Sequence, residues 1–156
     1  MKWRRFNGDR ILEPIEQALA VDLQRERDKG YRLKVCIGSD SQVRNGIIEM
    51  ATVIVVLREK SGGFMYIRNE SVRKRMTLKE RLLGEVTRSI DVAYRLCDIL
   101  DQYDVDMEVH ADINTNPHFK SNASLHDAMG YILGMGFAFK AKPEAFASSS
   151  CANRVV

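Results

Sequence analysis

The chain reads as an α/β protein: a mixed β-sheet with helices packed on it. Three observations predict this. Leu33, Val35 and Ile37 alternate with Lys34, Cys36 and Gly38, which is the period of a strand. Two further strand-like runs follow across short turns at Asn45-Gly46 and Lys60-Ser61-Gly62-Gly63, giving a three-strand antiparallel meander. From Leu78 to Leu100 the apolar residues recur at helical spacing, and a strand pattern returns at Met107–Asp112.

The elements follow in order. The opening stretch carries Lys2, Arg4 and Arg5 around Trp3 and reads as a solvated terminus. Ile11, Ile15, Leu19 and Leu23 set a surface helix over about residues 9–29, with Asp9 as cap, Pro14 in the first turn and Gly30 as the stop. The first strand runs from about Arg32 to Ser39, and the second is the β-branched run from Ile47 to Leu57. Phe64–Arg68 makes the third. Thr77 and Glu80 form a capping box that starts the long helix. An acidic connection leads to the fourth strand, ending at Asp112. A polar loop over 114–122, a helix over about 124–135, a strand at Phe137–Lys142 and a short helix after Pro143 complete the chain. Crossovers through helices let the first and fourth strands lie side by side and parallel.

Composition narrows the class. The chain has 156 residues, 45% of them apolar and 29% charged, which suits one domain over residues 1–156 with a real core. No apolar run approaches the roughly 20 residues of a membrane span, and no apolar stretch follows the basic N-terminus, so neither a membrane nor a signal peptide is expected. Cys36, Cys97 and Cys151 form no CxxC pair, which argues against zinc and a disulfide framework and for a reducing cytoplasm. The net charge of +3 permits a polyanionic partner without requiring one.

Two strands end in a carboxylate, Asp40 in IGSDSQ and Asp112 in HADIN, and Glu85 sits on or beside the apolar stripe of the long helix. With the two strands adjacent, Asp40 and Asp112 are neighbours at one sheet edge. Close carboxylates raise each other's pKa unless a cation lies between them. Oxygen ligands without cysteine or a histidine pair favour Mg²⁺ or Mn²⁺. Such ions promote phosphodiester hydrolysis.

These segments, with GYILGMGF and KPEAFASSSCANR, resemble the ribonuclease H-like superfamily and, more narrowly, the bacterial YkuK-type family of unestablished function. The resemblance runs from Leu33 onward. It implies a metal site of Asp40, Glu85 and Asp112 as catalytic residues, completed by Asn153 where the superfamily usually carries an acid. It also implies a nucleic-acid partner (RNA, DNA or a hybrid), with Lys120, Ser121 and Asn116 placed to contact substrate. His110 reads as a packed or hydrogen-bonded histidine, and Ser148–Ser150 as capping or small-residue packing. The leading expectation is a Mg²⁺- or Mn²⁺-dependent nuclease. The alternatives are a catalytically degenerate nucleic-acid-binding module, motivated by Asn153, and an assembly protein whose acidic residues never meet.

Overall fold

A computed structural model describes residues 2–114, 130, 132–134 and 136–156. Its elements are β1 (Arg4–Arg5), α1 (Ile15–Asp28), β2 (Leu33–Arg44), β3 (Ile47–Arg58), β4 (Gly63–Val72), α2 (Leu78–Gln102), β5 (Asp106–Asn114) and β6 (Ala138–Lys142). A π-helix, Ala147–Ala152, runs directly into a last helical turn, Asn153–Val155. The six strands form one sheet in the order β1-β4-β3-β2-β5-β6. The β2-β3-β4 meander is antiparallel, and β2-β5 and β5-β6 are parallel. The expected mixed sheet with the first and fourth predicted strands adjacent is thus the observed one.

Strand alternation divides the core between the two faces. Val35, Ile37, Ile54, Val56, Val109 and Ala111 point to α1 and α2 and build the main cluster. Cys36, Val53, Val55 and Ile67 point the other way, under the π-helix. The π-helix comes unusually close. A Cβ on Gly38 would stand 2.5 Å from the Ala147 carbonyl carbon and the Ser148 nitrogen, both backbone atoms. Only a residue without a Cβ lets the C-terminal segment lie on β2 at this point.

β2 does not stop at Ser39, as the Gly-Ser-Asp-Ser run suggested. It pairs with β3 through Arg44–Ile47. The Asn45-Gly46 turn has φ of 51° and 74°, the two left-handed residues of a type I′ hairpin whose twist keeps both strands paired to the tip. The β2–β5 ladder, by contrast, ends at Gly38–His110. Asp40 and Asp112 therefore lie two residues past the last paired rung, where β2 and β5 separate.

The N-terminus departs from expectation. Trp3 is buried, with the Arg68 guanidinium 4.9 Å over its ring, and Arg4 and Arg5 pair with Ile67 and Tyr66 of β4. Burying an indole outweighs leaving the short basic stretch in water. Asp9 caps nothing: its N–H donates to Asn7 in a tight turn, and α1 starts at Ile15, after Pro14. Proline suits that boundary because its fixed φ fits the helix and its missing N–H is not needed there.

Two buried acids of α1 lock the helix to the sheet. Asp22 accepts from Arg5, from Arg25 and from the Tyr66 hydroxyl. Burial works against its charge, but these donors hold its pKa below the usual carboxylate range. Glu26 takes both arms of Arg58 at 2.6 and 3.1 Å, and Arg58 brings its pKa down to about 2 against the cost of burial.

α2 begins at Thr77, whose Oγ1 accepts the Glu80 N–H at 3.1 Å. The second half of the capping box is altered, because the Thr77 hydroxyl donates to the Glu80 carboxylate. Leu82, Val86, Ile90, Ala93, Leu96 and Leu100 are buried along one face, and that face also carries Glu85.

Candidate metal site at the β2–β5 fork

Asp40 belongs to the β2 face that turns away from α2, and Ser39 and Ser41 to the face that meets it. Ser39 spends its hydroxyl on Thr52 and Ser89, which ties β2, β3 and α2 together beneath the site. Ser41 donates to Glu85 Oε1 at 2.5 Å and accepts from Arg81 Nε at 3.1 Å, while Arg81 Nη2 also donates to the Ser41 carbonyl. Arg81 and Glu85 share a helix face because they are four residues apart. Glu85 is only 4% exposed. It is therefore buried on the stripe rather than solvated at its edge.

On the other side, Asp40 is 6% exposed, and its Oδ2 accepts from Asn153 Nδ2 at 2.7 Å. Asn153 sits there because the π-helix rests on Gly38. Asp112 is partly buried, and its Oδ1 lies 2.8 Å from Lys142 Nζ at the end of β6. That contact lacks hydrogen-bond directionality, so Oδ1 is a buried oxygen facing a cation without a directed partner.

The three carboxylates are electrostatically coupled. Burial pushes the Glu85 pKa up to about 8, and Asp40 and Asp112 push the same way against the Ser41 hydrogen bond and Arg81. Burial also raises Asp40; the Asn153 hydrogen bond opposes this and the Asp112 charge adds to it. Arg81 and Lys142 offset only part of this, and Asp40 and Glu85 keep a raised proton affinity. The donor set is carboxylate oxygen with one amide, which suits Mg²⁺ or Mn²⁺. Asn153 offers its N–H to Asp40 in this arrangement, and ligation by its oxygen would need the amide turned over.

The sign of a pH effect follows. A carboxyl whose folded pKa lies above its unfolded value of 4.5 contributes stability below that value and loses it as pH rises through the folded pKa. Without divalent metal, Glu85 should make stability fall between about pH 4.5 and pH 8, by up to about 5 kcal/mol. Glu85→Gln should flatten this alkaline limb in denaturant titrations run across the window. An unchanged slope would place the coupling elsewhere. The acid limb belongs to lowered groups such as Glu26, whose contribution is lost as pH falls from 4.5 toward about 2.

Among the described residues, the ligand-type atoms that lie within 4.8 Å of one another belong to a different set: Cys36, Glu108 and His110. Spacing could not reveal it, since it forms by β2–β5 register, with Cys36 opposite Glu108 and Gly38 opposite His110. Its internal bonding opposes a metal role. The Ala147 N–H donates to His110 Nδ1 at 3.1 Å, which places the ring proton on Nε2, where it is given to Glu108 Oε1 at 3.0 Å. A metal on Nε2 would need that proton moved to Nδ1, against the Ala147 N–H. Burial pushes the Cys36 thiol up to about 12, so no thiolate is on offer. Burial also lowers the His110 pKa, keeping the ring neutral. The set closes the underside of the π-helix, with His110 edge-on to Phe146 at 4.8 Å.

Asp40, Glu85, Asp112 and Asn153 thus all lie at the fork. Asn116, Lys120 and Ser121 lie outside the described residues. Sequence reasoning did not find Ser41, Arg81 or Lys142. Arg81 carried a signal, four residues before Glu85 on a helix; Lys142 carried none.

A family model described as Ribonuclease H-like matches residues 16–156. Among solved structures, RNase H1 from the halophilic archaeon Halobacterium salinarum NRC-1 is similar at 13% identity and a TM-score of 0.42, over 73% of this chain and 89% of that one. No curated protein matches the sequence. The matched span takes in both strands of the fork, the helix that supplies Glu85 and the C-terminal turn that supplies Asn153, and by that match the chain belongs to the ribonuclease H-like family.

Proposed function

We propose that this protein is a Mg²⁺- or Mn²⁺-dependent phosphodiesterase acting on nucleic acid, with Asp40, Glu85 and Asp112 as its metal-holding residues. One observation carries the reading: acids from three separate elements converge on the β2–β5 fork, where burial raises the proton affinity of Asp40 and Glu85 and the neighbouring acidic charges add to it. Buried repulsion of this kind costs stability and is kept where it serves a site. A divalent ion there would neutralise charge at the scissile phosphate and lower the pKa of the attacking water.

The chain's own residues do the rest. Ser41 donates to Glu85 Oε1 and so orients the carboxyl group. Arg81 fixes Ser41 through two hydrogen bonds and so orients Glu85 indirectly. Lys142 neutralises Asp112 and, 40% exposed, is free to turn toward a substrate phosphate. Lys142→Met should therefore tighten Mn²⁺ binding about threefold to fivefold in calorimetry, because a competing ion pair worth up to about 1 kcal/mol is gone. Weaker or unchanged binding would show that Lys142 does not compete for Asp112.

The functional test is cleavage of RNA, DNA and RNA–DNA hybrid with Mn²⁺ and with chelator. A second reading is a binding module without catalysis, favoured by Asn153, which brings a neutral amide to Asp40. Salt-sensitive binding without metal-dependent cleavage would select it.

A further inference from the structure

The chain pairs most of its buried-edge arginines with acids: Arg5 with Asp22, Arg58 with Glu26, Arg88 with Glu70 and Arg95 with Glu16. Arg73, Lys74 and Arg75 break that habit. They are consecutive, all exposed, and among the described residues none of their side chains has an ion pair or hydrogen bond. Together with Gly46 and Ile47 they line a cleft of about 380 Å³.

Register fixes where that cleft lies. Asp40 is level with Ala51 and Asn69, and Val43 is level with Ile48 and Val72. Arg73 thus follows four residues beyond the level of Asp40 and two strands to the side. Strand rise and spacing put it about 16 Å from Asp40, at the same end of the sheet. Arg81, held over Ser41, puts one cation beside the acidic fork, and Arg73–Arg75 add three more at the same end of the sheet. A lone cluster of acids would repel a polyanion; this arrangement attracts one along a defined side.

We propose that Arg73, Lys74 and Arg75 form a docking surface for the phosphodiester backbone of a nucleic acid, holding phosphates about five nucleotides from the one presented to the carboxylates, at roughly 3.4 Å of axial rise per nucleotide. The inference rests on the functional reading above and adds the direction in which the strand leaves the site.

The test measures binding of a short fluorescein-labelled RNA–DNA hybrid, with chelator present to stop cleavage, as a function of NaCl. The Arg73→Ala/Lys74→Ala/Arg75→Ala variant is compared with wild type. A control, Lys29→Ala/Arg32→Ala/Lys60→Gly, removes the same charge at the far end of the sheet; glycine suits the φ of 63° at Lys60. Losing three phosphate contacts should reduce the log–log salt slope by about 2 to 3 and weaken binding roughly tenfold to hundredfold near 0.1 M NaCl. The control should keep the wild-type slope, and Mn²⁺ calorimetry of the first variant should match wild type. Equal slopes for wild type and the first variant, or equal losses in both variants, would overturn the docking surface and leave the functional reading standing. A selective loss in the first variant, with no metal-dependent cleavage by wild type, would uphold the surface and overturn the nuclease. No binding by wild type at low salt would overturn both.

Discussion

Asp40→Asn is expected to lower Mn²⁺-dependent phosphodiester cleavage by about 10²–10³-fold, the range for loss of one group that stabilises transition-state charge. The change keeps the size of the side chain and removes its charge. Asp40 lies where β2 and β5 part, is 6% exposed, and is coupled to both Glu85 and Asp112. Removing its charge relieves the repulsion on Glu85, so the protein should unfold at an equal or higher temperature near pH 8. Lost activity with retained or raised stability is the signature of a residue kept for function at a cost in stability. Calorimetry on Asp40→Asn with Asp112→Asn supplies the independent readout, and Mn²⁺ binding should vanish. Full activity of the pure single variant would remove Asp40 from the site. Activity lost together with a large drop in stability would make its role structural.

Gly38→Ala is expected to destabilise the protein by about 3 kcal/mol, the upper part of the range for overpacking, and to lower Tm by about 6–12 °C. The added carbon has nowhere to go: its 2.5 Å neighbours are backbone atoms of Ala147 and Ser148, which cannot rotate aside as a side chain can. The C-terminal segment must lift. That segment carries the Ala147 N–H that fixes His110 and the Asn153 amide that donates to Asp40. Mn²⁺ affinity should therefore change along with Tm, although Gly38 is no ligand. A Tm within about 1 °C of wild type would show that the π-helix sits further from β2 than described.

The meander, the long helix and the strand-end acids were legible in the sequence for a physical reason. Alternation in Leu33–Gly38, the Asn45-Gly46 turn and the helical spacing from Leu78 are local signals, and the meander and long helix follow from them. Asp40 and Asp112 stood out because carboxylates are rare in such strands, and parallel pairing of their strands brought them to one fork. Bounds were less legible. β2 continues to Arg44 because β3 pairs with it to the hairpin tip, a cross-strand effect no local window contains. The N-terminus read as solvated because its charges were visible and the pocket for Trp3 was not.

What only the tertiary structure decided are the contacts that cross elements. Burial of Glu85, the main cause of its pKa near 8, depends on how α2 rotates against β2, and two acids distant in sequence add to it. Lys142 meets Asp112 only once β6 lies beside β5. The Cys36–Glu108–His110 set exists only in the β2–β5 register, and Gly38 is required only because a π-helix from the far end of the chain rests on it. The sequence by itself determined the α/β class, the strands and helix that bear the acids, and the identity of those acids, since periodicity and residue type are local properties. Their environments, and hence their chemistry, came from long-range packing, which sets desolvation and charge coupling over distances that sequence spacing does not encode.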